Sequence, residues 1–169
     1  MQKTIWLAVV IFLGAISCFA QEVPQGDVAG SYSFVHFGPG SNANGGSFSA
    51  AVYANRWFGI AGDFGAYSQS PTRTYTFLAG PRFSVRNTRT RFTPYAETLF
   101  GDTHFTTSPF PSTNGFTALA GGGVELGMSR SVALRPQLDY LAIRTGGSTL
   151  NTARISVGLA FRVGSQPSR

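Results

Sequence analysis

The chain contains two histidines, His36 and His104, and these are its candidates for acid–base or metal chemistry. A serine nucleophile needs its histidine base within hydrogen-bond reach and an acid that orients the ring. Ser108 and Asp102 lie near His104, and Ser33 lies near His36, but no catalytic motif surrounds either group. A histidine at a strand end is more commonly a solvated rim residue. We therefore expect no catalytic residue, no metal site, no cofactor and no enzymatic activity.

Two further stretches share features with binding motifs. Residues 121–127 read GGGVELG, which is glycine-rich but lacks the full spacing of a dinucleotide loop and the helix that should follow it. Glycines at such positions fit places where a sheet bends or packs closely. Residues 108–112 read SPFPS, a proline-stiffened segment that could present Phe110 for recognition. Neither stretch defines a substrate.

The charged residues are more informative, because they are few. They fall on the same face of segments in which apolar residues alternate with polar or small ones. Only 12% of the residues are charged, against about a quarter in typical soluble proteins. Buried charges are tolerated when they are paired, and arginine suits this because its planar fork binds carboxylates. We predict a charge network that lines the interior of a closed barrel, formed by Asp63, Arg82, Glu97, Glu125, Arg135, Asp139, Arg154 and Arg162.

Alternation of apolar with polar or small residues predicts the elements that position these charges. In ARISVGLAFRVG at 153–164, for example, large apolar residues occupy every second position. Eight strands are predicted, at 27–37, 46–54, 57–67, 74–86, 91–105, 115–128, 131–143 and 152–163. Three connections are short, at 55–56, 87–90 and 129–130, and four are longer and turn-rich, at 38–45, 68–73, 106–114 and 144–151. This predicts an up-and-down barrel with short turns at one end and longer loops at the other.

The N-terminal segment has the features of a leader. Lys3 precedes an apolar run at 5–16, and the small residues Cys18 and Ala20 fit cleavage after Ala20. We therefore predict a Sec-type signal peptide at 1–20, a short segment at 21–26, the barrel at 27–164 and a tail at 165–169. A weak lipobox match leaves lipidation of Cys18 as an alternative. Cleavage after Ala20 would leave no cysteine, which fits an exported protein without disulfides.

The strand faces and the charge distribution favour a membrane protein. After residue 20, twelve arginines accompany seven carboxylates, but the arginines are scattered singly, so we expect no nucleic-acid binding. No helix is predicted after the leader to cover the wide apolar faces. We expect these faces to contact lipid, and the barrel to be closed, because hydrocarbon cannot satisfy an open sheet edge. An aromatic girdle at one membrane interface is predicted from Trp57, Phe58, Phe92 and Phe161.

The chain resembles the small eight-stranded outer-membrane β-barrels of the OmpA transmembrane-domain and OmpX type. The resemblance rests on NRWFGIAGDF at 55–64, PYAE at 94–97 and ISVGLAF at 155–161, and it covers about 25–164. It implies a monomeric outer-membrane protein of a diderm bacterium that contacts outer-membrane lipids and lipopolysaccharide and is inserted by the barrel-assembly machinery. The chain departs from the family where RVGSQPSR follows Phe161, and we expect no peptidoglycan-binding domain after the last strand.

The overall expectation is an all-β, eight-stranded antiparallel up-and-down transmembrane barrel. Its expected role is envelope structure, or surface interaction through four outer loops. Three alternatives remain open: an outer-membrane enzyme acting on lipid A or phospholipid acyl chains, a narrow path for water or ions, and a soluble lipocalin-like carrier. The carrier would need an apolar lumen and a polar exterior, the reverse of the faces predicted for these strands. An eight-stranded interior is just wide enough to be filled by side chains or to hold one small ligand.

Overall fold

The computed structural model describes residues 25–36, 42–69, 71–85, 91–107, 112–129 and 131–163. The strands are β1 (Gln25–His36), β2 (Asn42–Tyr53), β3 (Phe58–Gln69), β4 (Thr72–Ser84), β5 (Phe92–Thr107), β6 (Thr113–Gly127), β7 (Val132–Thr145) and β8 (Ser148–Val163). No helix in the described part is long and apolar enough to cross a membrane. The predicted signal peptide with Cys18, the loop residues Ser108 and Phe110, and the tail at 165–169 lie outside the described residues.

The eight strands form one closed antiparallel barrel, which confirms the predicted fold class. Each strand pairs with the next along the chain, and β8 pairs with β1. We start at Val35 of β1 and step from each residue to its cross-strand partner on the next strand. After one turn around the barrel, this path reaches β1 again at Gln25, ten residues from the start. It passes through Arg154, Asp139, Gly121, Glu97, Arg82, Gly59 and Tyr53. A stagger of this size tilts the strands by about 40°, within the range of closed barrels.

The alternation places apolar side chains outside the barrel and charged side chains inside it. Ile60 and Leu138 are 64% and 61% exposed, whereas Arg82, Arg135 and Arg154 have no exposed surface. This is the reverse of a soluble protein, in which arginine is almost never fully buried. Register is fixed by this contrast, since a slip by one residue exchanges the two faces of a strand.

The two ends of the barrel differ in how far the strands extend. We call the end that holds the start of β1 and the end of β8 the terminal end; its connections are 54–57, 85–91 and 128–131. The other end, the distal end, has connections 37–41, 70–71, 108–112 and 146–147. The predicted contrast between short turns and long loops is therefore wrong. The polar segments assigned to long loops continue the strands as paired hairpins beyond the apolar band.

The distal hairpins close with little chain. The predicted loop 144–151 is a turn of only two residues, Gly146 and Gly147, whose φ angles are +58° and +88°. Glycine adopts two such angles in succession without strain, which explains how β7 and β8 pair up to Thr145 and Ser148. The hydroxyls of Thr72 and Thr107 lie 3.0 Å apart in the extension of β4 and β5. Threonine is a good strand former, so polar composition alone does not end a strand.

The terminal end carries the four predicted interface aromatics. Trp57 and Phe92 are 58% and 51% exposed, and Phe161 is 47% exposed. The ring of Trp57 stacks on Phe83 at 6.1 Å between centroids, and Phe58 contacts both rings. All of these residues lie at strand ends on the outer face or in the adjoining turn, the position of an interfacial aromatic belt in membrane barrels.

Candidate functional sites in the lumen and at the barrel rims

The lumen charge network begins at the terminal end, where Arg135 joins two carboxylates. Its Nη2 donates to Asp27 Oδ1 and to Glu125 Oε1, each at 2.5 Å, and its Nη1 donates to Ser49 Oγ at 3.3 Å. Glu125 also accepts from Arg162 Nη2 at 3.3 Å. Arg162 is the most open member, with a side chain 24% exposed.

The middle of the network is an alternating chain of cations, carboxylates and one amide. Arg82 donates to Asp27 Oδ1 at 3.3 Å and, through Nε, to Glu97 Oε2 at 2.7 Å. Gln137 Nε2 then donates to Glu97 Oε1 at 2.9 Å and to Asp139 at 2.9 and 3.0 Å. The amide thus bridges the carboxylates of Glu97 and Asp139, which flank Gly121 on the two strands beside β6.

The distal part of the network is centred on Arg154. Its Nε donates to Asp139 Oδ2 at 2.8 Å, and its Nη1 donates to Asp63 Oδ1 at 2.7 Å. The same Nη1 donates to the hydroxyl of Tyr67 at 2.8 Å. One continuous chain of hydrogen bonds therefore runs from Arg162 at the terminal end to Tyr67 on the distal side.

The ring of Tyr95 lies against both Arg82 and Arg135. Its centroid lies 4.9 Å from the guanidinium carbon of Arg82 and 5.3 Å from that of Arg135. Its hydroxyl donates to Gln137 Oε1 at 2.8 Å. Cation–π contact strengthens when water is excluded, so this ring stabilises both guanidiniums.

All eight residues predicted for the lumen network face the lumen and form ion pairs there. Six further members were not predicted from the sequence, namely Asp27, Ser49, Tyr53, Tyr67, Tyr95 and Gln137. Asp27 was detectable, because it shares the inward phase of β1 with Ala29 and Ser33. With Asp27, the described lumen holds five carboxylates and four guanidiniums.

Glycines on the inner face make room for this network. A Cβ on Gly121 would lie 2.1 Å from Asp139 Oδ1 and 2.7 Å from the carbonyl oxygen of Leu138. A Cβ on Gly65 would lie 2.3 Å from the hydroxyl of Tyr67. The space above these glycines is therefore occupied by neighbouring side chains and does not form an open polar path.

The lumen also has an apolar part, which the sequence analysis did not predict. Leu78, Leu99, Leu119 and Leu141 are buried on the inner face and pack together with Ile143. Above them, the distal mouth holds a cavity of about 400 Å³. Its walls include Phe105, Ile143, Thr113, Thr145, Ser148 and Leu150. The apolar cluster closes the lumen beside the charge network.

The two histidines lie on the outer face at the distal end. His36 Nδ1 lies 2.6 Å from Asn42 Oδ1, and His104 Nδ1 lies 2.5 Å from Asn114 Oδ1. Ser33 faces the lumen, where its hydroxyl lies 2.8 Å from that of Ser156, so it is separated from His36 by the barrel wall. Within the described ranges, no serine hydroxyl is hydrogen-bonded to a histidine, and no group of three potential metal ligands occurs.

Known proteins match this chain in fold but not in sequence. No family model matches the chain, and no curated protein sequence matches it. The crystal structure of Neisserial surface protein A (NspA) superposes with a TM-score of 0.62 at 14% identity, covering 82% of this chain and 96% of NspA. Ail, the attachment invasion locus protein of Yersinia pestis, gives 0.54 at 16% identity, covering 85% and 100%.

An enzyme shares the same architecture. The outer membrane enzyme PagL superposes with a TM-score of 0.50 at 9% identity, covering 80% of this chain and 98% of PagL. Because one fold carries several functions, the likeness says nothing by itself about activity. What the closed barrel and these neighbours establish is that the chain has the fold of the small eight-stranded outer-membrane β-barrels.

Proposed function

We propose that this chain is an integral outer-membrane protein that acts without enzymatic chemistry, in envelope structure or in surface interaction through its distal hairpins. The observation that carries the proposal is the inverted polarity of the barrel. Fully buried arginines fill the lumen, while phenylalanine, leucine and isoleucine side chains cover the exterior. A protein with such an exterior would aggregate in water, whereas in a bilayer an apolar exterior is the arrangement of lowest free energy. This inversion also argues against a soluble lipocalin-like carrier.

The proposed orientation places the distal end outside the cell. At that end, outward-facing positions become polar where the hairpins rise above the apolar band, as at His36, Arg73, His104 and Arg144. Such a rim suits contact with lipopolysaccharide headgroups. The names of NspA, a surface protein, and Ail, an attachment protein, support a role at the cell surface for barrels of this shape. Insertion by the barrel-assembly machinery and a monomeric state belong to the same proposal.

Cysteine labelling in intact cells tests this placement. Thr149→Cys at the distal end should react with a membrane-impermeant maleimide, and Asn55→Cys at the terminal end should react only after the outer membrane is opened. The unsubstituted chain controls for Cys18. Equal labelling of both variants in intact cells would contradict the orientation, and labelling of neither in opened cells would contradict exposure of both ends.

The non-enzymatic part of the proposal rests on the histidines. Each ring is hydrogen-bonded to an asparagine, and no described serine or acid completes a catalytic group. We expect lipid A and phospholipids from cells that express the protein to have unchanged masses compared with cells that lack it. A mass change that depends on His104, lost in His104→Ala but kept in His36→Ala, would establish the enzymatic alternative instead.

A further inference from the structure

Two arginines at the terminal end have no acidic partner in the described structure. Arg56 lies in the connection between β2 and β3, and Arg91 immediately precedes β5; both are exposed. The backbone of Arg91 is held at the barrel end, since its carbonyl oxygen accepts a hydrogen bond from Gly127 N at 2.7 Å. No ion pair joins either guanidinium to a carboxylate within the described ranges.

The described carboxylates lie inside the lumen or towards the distal end. Five of the chain's seven are paired inside the lumen, Asp102 is on the outer face towards the distal end, and Glu22 precedes β1, outside the described residues. The three connections of the terminal end, 54–57, 85–91 and 128–131, contain five arginines and no carboxylate. The four distal connections contain no charged residue. The connections of the terminal end therefore carry only positive charge.

The depth of Arg56 is set by the aromatic cluster beside it. Asn55 Oδ1 accepts hydrogen bonds from the backbone N–H groups of Trp57 and Phe58, at 3.0 and 2.8 Å, which fixes the turn. The carbonyl oxygen of Trp57 accepts from Ser84 N at 2.9 Å, which anchors the turn to β4. An exposed indole at a barrel end is typical of the membrane interface, so we expect the neighbouring guanidinium of Arg56 at the level of the lipid headgroups.

We infer that the terminal end binds the phosphate groups of anionic phospholipids, with Arg56 and Arg91 as the contact residues. The inference rests on the membrane placement under Proposed function. A guanidinium recognises phosphate through paired N–H donors and keeps its charge at every physiological pH. The attraction of one arginine to an anionic bilayer surface corresponds to about fivefold in an equilibrium constant. The headgroups of the periplasmic leaflet, where the proposed orientation puts this end, supply such phosphates.

Trp57 offers a local probe of which lipids surround this end. The full chain, with Trp6→Phe so that all emission comes from Trp57, is reconstituted into phosphatidylcholine vesicles containing a minority of phosphatidylglycerol. Two parallel samples are prepared, one with brominated phosphatidylcholine and one with brominated phosphatidylglycerol. Bromine quenches the emission of a tryptophan that it contacts. The test variant is Arg56→Ser with Arg91→Ser. The matched control is Arg73→Ser with Arg144→Ser, which removes the same charge from the distal end.

We expect brominated phosphatidylglycerol to quench Trp57 as if enriched at least about threefold over its mole fraction. The enrichment should vanish in the Arg56/Arg91 variant and in high salt, and persist in the Arg73/Arg144 control. Quenching by both lipids in proportion to their mole fractions would overturn the inference while leaving the membrane placement intact. An equal loss in the control would also overturn it, because net charge would then suffice. Absence of quenching by either lipid would refute the membrane placement itself.

Discussion

Replacing Arg135 with glutamine perturbs the lumen network where one guanidinium joins two carboxylates. The guanidinium is fully buried and donates to Asp27 and Glu125, both at 2.5 Å. Glutamine removes the charge and is too short to keep both contacts. Two buried carboxylates then lose their common cation in a site that water does not reach, and an uncompensated buried charge is costly.

The size of the loss follows from what each carboxylate retains. Asp27 keeps Arg82 at 3.3 Å and the hydroxyl of Tyr53 at 2.8 Å, and Glu125 keeps Arg162 at 3.3 Å. Breaking a buried pair by removing one partner costs about 3–5 kcal/mol. Because neither carboxylate is left without a partner, we expect about 3 kcal/mol for Arg135→Gln, the lower end of that range.

Urea unfolding in phospholipid vesicles, followed by tryptophan emission, measures this loss. The control is Arg162→Gln, which removes one contact of 3.3 Å from a partly exposed side chain and should cost about 1 kcal/mol or less. Adding Asp27→Asn to Arg135→Gln should recover at least about 1 kcal/mol, since it removes one of the two carboxylates that shared the lost cation. Equal losses for Arg135→Gln and Arg162→Gln, or no recovery in the double variant, would refute the network as a stabilising unit.

Three further predictions concern other parts of the barrel. Gly121→Ala should destabilise the barrel by about 2 kcal/mol in the same urea assay, because its Cβ would collide with Asp139. The control Gly30→Ala, with open space around it, should change stability little. Similar losses of stability in the two variants would contradict this reasoning. Gly146→Ala should cost about 1 kcal/mol in that assay and Gly146→Asn less, because φ is +58° in the distal turn; equal costs would argue against a conformational origin. Reconstituted protein should carry no measurable single-channel current in planar bilayers, because side chains fill the lumen, and a steady current would reveal a path that the network does not block.

The barrel itself is predictable from this sequence because lipid and lumen impose opposite demands on successive residues. A strand such as β8 can satisfy both only by strict alternation, with Ile155, Val157 and Leu159 outward and Arg154 and Ser156 inward. That pattern gives the number of strands, their faces and eight of the nine described inward charges, all but Asp27, without any knowledge of pairing.

The partners of those charges are less predictable. Arg154 and Asp139, like Arg82 and Glu97, stand opposite each other on neighbouring strands, so a hairpin register would suggest both pairs. Arg135 and Asp27 are 108 residues apart and meet across the lumen. Their contact exists only because the barrel closes with a stagger that no local pattern encodes.

The strand ends at the distal side were misjudged for a physical reason. Segments rich in glycine, serine, threonine and asparagine are typical of loops, and the extent of the apolar band gives no guide to where hydrogen bonding stops. In β2 the pairing with β1 continues to Asn42, and in β7 the pairing with β8 continues to Thr145. Polar residues outside hydrocarbon can remain in a ladder because their cross-strand partners are already held in register by the barrel.

The central claim is a closed barrel whose apolar exterior belongs in a membrane, and one gel tests it most directly. The detergent-folded protein is run in SDS with and without boiling, beside the Arg135→Gln variant. We expect the unboiled protein to resist SDS and to change mobility on boiling, and the variant to unfold at a lower temperature. Identical mobility with and without boiling, from protein that stays soluble after detergent is removed, would contradict the membrane barrel.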